Sequence, residues 1–152
     1  MSAERTDYME AALMEAADAA ARGEVPVGAI LVAPGTGTIL GSAGNRVESD
    51  ADPGAHAEAL AIRMACAARG EPRLPDCDLY VTLEPCTMCA ALISFARIRR
   101  LYFGAYDPKG GGVEHGARFF QQPTCHHAPE IYGGIRETES AAMLKRFFER
   151  RR

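Results

Sequence analysis

The sequence has no tryptophan, few other aromatic residues and no long apolar run. In its N-terminal third, residues 25–44 carry no charged side chain but are interrupted by two prolines and several glycines. A membrane-spanning helix needs about 20 predominantly apolar residues, so we expect no membrane span. Acidic side chains recur through the first eighteen residues, which argues against a signal peptide. We therefore expect a cytoplasmic protein.

The chain also lacks repeats, low-complexity tracts and linkers. Its content of 47% hydrophobic and 24% charged residues is ordinary for a globular protein. A chain of 152 residues can bury roughly 68–70% of its unfolded surface without disulfides. Five cysteines are an odd number in a chain with no secretory signal, which favours reduced thiols or a metal site. We expect a single domain over residues 1–152.

Charge is divided unevenly along the chain. Residues 1–89 contain 6 Lys and Arg against 14 Asp and Glu, a net charge of −8, whereas residues 90–152 contain 11 against 6, a net charge of +5. A basic half on an acidic protein indicates a localised anionic partner. The alternative is that these cations only solvate the last helix, and charge by itself favours that alternative.

Helical and extended patterns alternate along the chain. Alternation of this kind predicts an α/β fold, and a helix between the third and fourth strands is what a parallel crossover requires. The predicted helices cover residues 7–22, 56–69, 85–95 and 140–151. The predicted strands cover residues 25–33, 39–43, 79–83 and 100–104, and residues 131–135 form either a last strand or an irregular segment.

Three potential metal ligands stand at two predicted helix starts. Cys86 and Cys89 are three residues apart, so their sulfur atoms point the same way, and the helix dipole favours thiolates there. His56 begins another helix. One histidine and two cysteines favour zinc with a fourth position open to water. Six further side chains could instead close the site with a fourth protein ligand: Cys66, Cys77, Cys125, His115, His126 and His127.

Glu58 argues for the open site. It lies two residues after His56, close enough to reach a water at the metal without itself binding the metal, and a carboxylate there can take and return protons. A histidine, a carboxylate two residues later and a downstream Pro-Cys-x-x-Cys form the signature of zinc-dependent nucleobase deaminases.

With these residues the sequence resembles the cytidine/deoxycytidylate deaminase superfamily, and within it the bacterial branch that converts the wobble adenosine of tRNA to inosine. The resemblance covers nearly the whole chain. The 81–83 lead-in to the cysteines and the 107–110 loop are particular to the tRNA branch. The matching stretches are residues 24–29, 44–46, 56–58, 79–89 and 104–111.

The resemblance implies a three-layer α/β/α fold with a five-stranded mixed sheet, a homodimer and one Zn²⁺ per subunit. His56, Cys86 and Cys89 would hold the zinc. Glu58 would move protons to N1 and then to the departing amine of adenine. The substrate would be a tRNA anticodon stem-loop, with an arginine tRNA the expected species.

The resemblance also implies substrate contacts. Asn45 would hydrogen-bond the flipped-out base, and Asp107 would lie near the sugar of the nucleotide 5′ of the target, where a 2′-OH contact helps to distinguish RNA from DNA. Apolar contacts with the base would come from Val27, Ala57 and Leu83. Contacts with the RNA backbone are expected from Lys109, Lys145, Arg146, Arg150, Arg151 and Arg152.

Several alternatives remain open at this point. Asn45 could stabilise a turn instead of binding a base, and Cys125, His126 and His127 could form a second metal site. We expect Phe147 and Phe148 to pack in the core, because one face of the closing helix must be buried, although one of the pair could instead stack on a splayed anticodon base. The whole chain could also be a guanine or cytidine deaminase of the same fold, or a non-catalytic zinc or RNA-binding protein.

Overall fold

The computed structural model describes residues 7–151, which form five strands, four helices and one 3-10 turn. No helix in this range is both long and apolar enough to cross a membrane. The helices are α1 (Tyr8–Ala21), α2 (Ala57–Arg69), α3 (Thr87–Phe95) and α4 (Glu137–Glu149). The strands are β1 (Gly28–Ala33), β2 (Thr38–Gly44), β3 (Asp78–Leu83), β4 (Arg100–Ala105) and β5 (Glu130–Tyr132).

The sheet is mixed, as the sequence predicts. Its strand order is β2-β1-β3-β4-β5; β1 is antiparallel to both β2 and β3, whereas β3, β4 and β5 are parallel. The crossover through α3 is therefore confirmed as a parallel connection. A parallel strand buried on both faces is expected to be apolar nearly throughout.

Helices cover both faces of the sheet. Alternation along β1 directs Ile30 towards Met9 and Leu13 of α1, and directs Leu31 into the larger core beneath α2 and α3. Side chains of β3 and β4 alternate in the same way, with Tyr80 and Tyr102 on the α1 side. The three-layer prediction is confirmed.

One edge of the sheet collects the residues that the resemblance singles out. Because β1 is antiparallel to β2 and β3, its first residues lie beside the ends of those two strands. Parallel pairing with β3 brings the end of β4 to the same edge. Val27, Asn45, Leu83 and Asp107 therefore all lie beside strand ends at one edge.

Several predicted boundaries are wrong. The third helix begins at Thr87 with Cys86 as its N-cap, so Pro85 precedes the helix and does not occupy its first turn. The last helix begins at Glu137, three residues earlier than predicted, after Arg136 adopts left-handed backbone geometry with φ 54°. The first strand begins at Gly28, three residues later than predicted.

Gly28 marks the closest approach of β1 to α1. A Cβ atom here would lie 2.6 Å from the Ala16 nitrogen and would overlap the Ala12 carbonyl. We therefore expect Gly28→Ala to lower the free energy of unfolding by about 2 kcal/mol, the usual cost of overpacking, measured as a reduced urea midpoint. Gly35→Ala is the matched control, because nothing lies within 4 Å of its added methyl. Equal midpoints for the two variants would contradict this packing.

Candidate metal centre and its cavity

The N-termini of α2 and α3 bring three ligand atoms together. His56 is the N-cap of α2 and Cys86 is the N-cap of α3, with Cys89 one turn further on. The His56 Nδ1 atom lies 3.6 Å from the Cys86 sulfur and 3.5 Å from the Cys89 sulfur. Among residues 7–151, no other histidine, cysteine or carboxylate joins this group. The potential fourth ligands considered above are therefore absent from it.

The spacing of these atoms fits tetrahedral zinc. With Zn–S near 2.3 Å and Zn–N near 2.0–2.1 Å, tetrahedral geometry places nitrogen and sulfur ligands about 3.6 Å apart. The two observed separations agree with that value. One imidazole and two sulfur donors are also the ligand types that zinc prefers. Three protein ligands leave one position for water or substrate, as in catalytic zinc sites.

The cysteines are prepared to bind a cation. A hydrogen bond from Cys89, together with His56, lowers the pKa of Cys86 to about 4, so this sulfur is a thiolate at neutral pH. The hydrogen bond that Cys89 donates to Cys86, followed by burial, raises the pKa of Cys89, and two adjacent thiolates also repel each other without a metal between them. A bound dication would relieve that repulsion.

Glu58 lies on the first turn of α2 beside the ligands and is only 4% exposed. Burial raises the pKa of its carboxyl to about 7, and the negative charge of Cys86 adds to the effect. A carboxyl whose pKa is close to the working pH both gains and loses a proton readily. Glu58 therefore has the burial and proton affinity of a general acid–base group.

A cavity of about 710 Å³ opens beside these residues. It has room for a nucleobase, and its walls combine apolar side chains with a few polar ones, as ligand sites usually do. All the predicted substrate-contact residues line it together with His56, Glu58 and Cys86: Val27, Asn45, Ala57, Leu83 and Asp107.

Asn45 is held so that its side chain faces the cavity. Its backbone N–H donates to the Val27 carbonyl (3.0 Å), and its own carbonyl accepts from Arg22 (3.3 Å). Asn45 does not have positive φ, so it does not adopt the left-handed backbone conformation for which asparagine is favoured in turns. The side-chain amide is left available for a ligand in the cavity.

The cations that are predicted to contact RNA lie in different parts of the structure. Arg151 lines the cavity, donates to the Gly23 carbonyl (2.7 Å) and lies 4.5 Å above the Phe147 ring. Arg146 and Arg150 flank the adjacent groove between α1 and α4. Lys109 and Lys145 are exposed outside both depressions. Arg152 lies outside the described residues.

Sequence reasoning missed the role of the closing helix in forming the cavity. Phe147 lines the cavity and Phe148 is 51% exposed, so the expectation that both pack in the core is wrong. The Cys125 sulfur contacts Ser94 and the His127 carbonyl, and the His127 ring contacts a backbone carbonyl. These contacts give the 125–127 segment a structural role, and it forms no metal cluster among residues 7–151.

Comparison with known proteins agrees with this geometry. A family model described as the cytidine and deoxycytidylate deaminase zinc-binding region matches residues 2–105. A tRNA-specific adenosine deaminase of Agrobacterium fabrum is 62% identical over 150 residues, covering 99% of this chain and 97% of that protein. The Bacillus subtilis protein of the same name is 43% identical, covering 93% and 86% of the two chains.

Solved structures give a similar result. A structure from work on A-to-I editing by tRNA:A34 deaminases at the wobble position is 63% identical, with a TM-score of 0.88 over 92% of this chain and 100% of that one. A guanine deaminase from Nitrosomonas europaea aligns with a TM-score of 0.77 over 91% and 81% of the two chains. At 22% identity, that second likeness shows a shared fold only.

Proposed function

The chain belongs to the cytidine and deoxycytidylate deaminase family of zinc-binding proteins, and on that premise we propose that it deaminates the wobble adenosine of a tRNA anticodon loop to inosine. The reaction hydrolyses the C6–N bond of a cyclic amidine and releases ammonia. The chain acts as one zinc-dependent deaminase domain over residues 1–152. It works as a cytoplasmic homodimer with one zinc per subunit, and an arginine tRNA is its substrate.

One observation carries the proposal: one imidazole and two sulfur ligands surround a metal position, with Glu58 beside it at the wall of a cavity that has room for a nucleobase. His56, Cys86 and Cys89 would hold zinc. Bound zinc supplies a Lewis acid that makes water acidic enough to act as a nucleophile near neutral pH. A structural zinc site is closed by four protein ligands, so it needs neither an open fourth position nor an adjacent carboxylate.

Glu58 moves the protons that this hydrolysis requires. Glu58 takes a proton from the attacking water and delivers it to N1 while the oxygen adds to C6 of adenine. The same carboxylate then takes the proton of the new hydroxyl group at C6 and passes it to the exocyclic nitrogen, which leaves as ammonia as C6 becomes a carbonyl. The raised pKa of Glu58 suits both steps, because in each step the group must be ionised to take a proton and protonated to deliver it.

The remaining cavity residues hold the nucleotide. Asn45 hydrogen-bonds the flipped-out base, and Val27, Ala57 and Leu83 pack around it. Asp107, at the end of β4, lies near the sugar of the nucleotide 5′ of the target. Extruding a base from a single-stranded loop costs less than extruding it from a duplex, which favours an anticodon loop as the substrate.

The alternatives are less well supported. A guanine or cytidine deaminase would share the metal centre, but the Agrobacterium fabrum and Bacillus subtilis relatives, which match 99% and 93% of this chain, are named tRNA-specific adenosine deaminases. A non-catalytic zinc protein would leave the buried Glu58 unexplained. The basic C-terminal half, with Arg151 at the cavity, favours a polyanionic substrate.

The substrate class is tested by measuring the ammonia that the zinc-replete protein releases from each candidate substrate. An arginine-type anticodon stem-loop is supplied in parallel with free adenosine, cytidine and guanine. We expect rapid release from the stem-loop and little from the small molecules. Release from a free base with an inert stem-loop would retain the metal chemistry and overturn the RNA substrate.

The groove cations provide a prediction of their own. We expect the double substitution of Arg146 and Arg150 by Ala to raise KM for the stem-loop about tenfold. The slope of log KM against the logarithm of the salt concentration should also fall by about one for each phosphate contact that is lost. The matched control is Arg73→Ala. Arg73 is an exposed cation that precedes the start of β3, whereas the cavity lies at the other end of that strand. An unchanged KM in the double variant, or an equal rise in the control, would remove these residues from the RNA interface.

A further inference from the structure

A buried carboxylate beside the metal ligands is unused by the chemistry above. Glu84 follows the last residue of β3 and precedes Cys86 by two positions. Its side chain is completely shielded from solvent. Burying an ionised carboxylate is costly unless hydrogen bonds replace its water. The contacts of Glu84 therefore indicate what the burial accomplishes.

Both oxygens of Glu84 bind the loop that follows β4, residues 106–116. Oε1 accepts the Asp107 backbone N–H (3.0 Å) and faces the His115 Nδ1 atom (2.8 Å). Oε2 accepts three successive backbone N–H groups, those of Val113 (3.2 Å), Glu114 (2.9 Å) and His115 (3.2 Å). One side chain thus ties together both ends of the loop.

The loop is fitted closely around this carboxylate. The Gly111 N–H donates to the Asp107 carbonyl (2.8 Å), and the Gly112 N–H donates to the Pro85 carbonyl (2.8 Å). A Cβ atom at Gly111 would overlap the Glu84 carboxylate. The path of the loop is therefore fixed relative to the strand that carries Leu83 and the helix that carries the cysteines.

The same loop forms one wall of the cavity. Asp107 and Gly110 line it, and Asp107 Oδ1 accepts the backbone N–H groups of Lys109 (3.3 Å) and Gly110 (2.9 Å). The orientation of the Asp107 carboxylate therefore follows from the position of the loop backbone. That position is set by Glu84.

We infer that Glu84 is a positioning residue: it holds the 106–116 loop so that Asp107 lies at a fixed distance from the metal centre and can contact the substrate. The inference rests on the proposed function, because it assigns Asp107 to substrate recognition. Glu84 also lines the cavity, but both of its carboxylate oxygens are bonded to this loop, so the side chain acts on the substrate through the loop. Its loss should therefore affect substrate binding more than the chemical step.

Glu84→Gln is the direct test. The amide keeps the volume of the side chain but presents an NH₂ group to one set of N–H donors, which breaks the contact at Asp107 or at residues 113–115. We expect KM for the stem-loop to rise about tenfold with kcat changed less than about threefold and zinc content unchanged. Asp78→Asn is the matched control. Asp78 is a buried carboxylate in the same strand, paired with Arg99 at the far end from the cavity, and it should leave KM unaltered.

Coupling to Asp107 separates positioning from general destabilisation. Asp107→Ala alone should raise KM about tenfold, and the Glu84→Gln/Asp107→Ala double variant should be no worse than either single variant. If the two increases in KM multiply in the double variant, or if Glu84→Gln lowers kcat at unchanged KM, the inference is overturned. If Glu84→Gln does not fold, Gly111→Ala displaces the loop with the carboxylate intact, and it should show the same KM effect and the same coupling.

Amide hydrogen exchange tests the loop without relying on activity. In Glu84→Gln, exchange should accelerate at least about tenfold at Asp107 and at residues 113–115, while Asp78→Asn should leave these amides protected. Protection retained in Glu84→Gln would refute the inference. A wild-type protein that does not deaminate the stem-loop would refute the proposed function instead, and the exchange result would still decide whether Glu84 holds the loop.

Discussion

Glu58→Ala is expected to retain zinc and to lose turnover of the stem-loop by a factor of about 10²–10⁴, the usual contribution of a positioned acid–base group. Hydrolysis at C6 needs one proton delivered to N1 and another delivered to the leaving nitrogen. Glu58 is the buried carboxyl beside the three ligands, and burial raises its pKa to about 7. No water can take over its role as effectively, because a water would need the same position and the same proton affinity.

Glu58→Gln refines this test. It keeps the shape of the side chain and, like a protonated carboxyl, has one donor group and one carbonyl acceptor, but it cannot take up or release a proton. If Glu58 shuttles protons, the Gln variant should be nearly as inactive as the Ala variant, with KM close to that of the wild type. Near-normal turnover in either variant would show that another group moves the protons.

Loss of a metal ligand should have an effect of similar size and a different signature. Cys86→Ala is expected to reduce bound zinc from about one per chain to near zero and to abolish turnover by at least about 10³-fold, because both the Lewis acid and the acidified water are lost. The pKa of Cys86 is lowered to about 4, so at neutral pH this residue supplies a thiolate that alanine cannot replace.

Stability provides a second readout for the same site. Zinc binds the folded chain and stabilises it by about 3 kcal/mol at a free concentration near 100 times Kd. A chelator should therefore lower the urea midpoint of the wild type and leave that of Cys86→Ala unchanged. Cys66→Ala is the control, since Cys66 is also a half-buried cysteine but lies outside the ligand group. A chelator-insensitive wild type, or zinc loss from the control, would contradict the assignment.

Much of the metal centre could be predicted because its geometry is local. A Cys-x-x-Cys at a helix start directs both sulfurs one way whatever the rest of the chain does, and His56 and Glu58 lie on one helical turn. The strands could be predicted for a similar reason: runs such as residues 79–83 are apolar enough to be buried on both faces. What joins the two helix starts is the sheet, and the parallel crossover fixes their separation.

The unpredicted features depend on packing between distant segments. Glu84 binds backbone groups 23 to 31 positions away, and no local pattern distinguishes that carboxylate from an exposed one. Phe147 reaches the cavity because α4 packs across α1 and β4, whereas helical periodicity alone assigns an aromatic residue to the core. The start of α4 depends on left-handed backbone at Arg136, a conformation that arginine seldom adopts.

Site-resolved inosine mapping tests the central claim most directly. The substrate is an anticodon stem-loop with adenosine at the wobble position and at one further loop position, and the zinc-replete protein is compared with Glu58→Ala. We predict inosine at the wobble position alone in the wild type and none in the variant. Inosine at both positions, at neither position, or in the Glu58→Ala reaction would contradict this account.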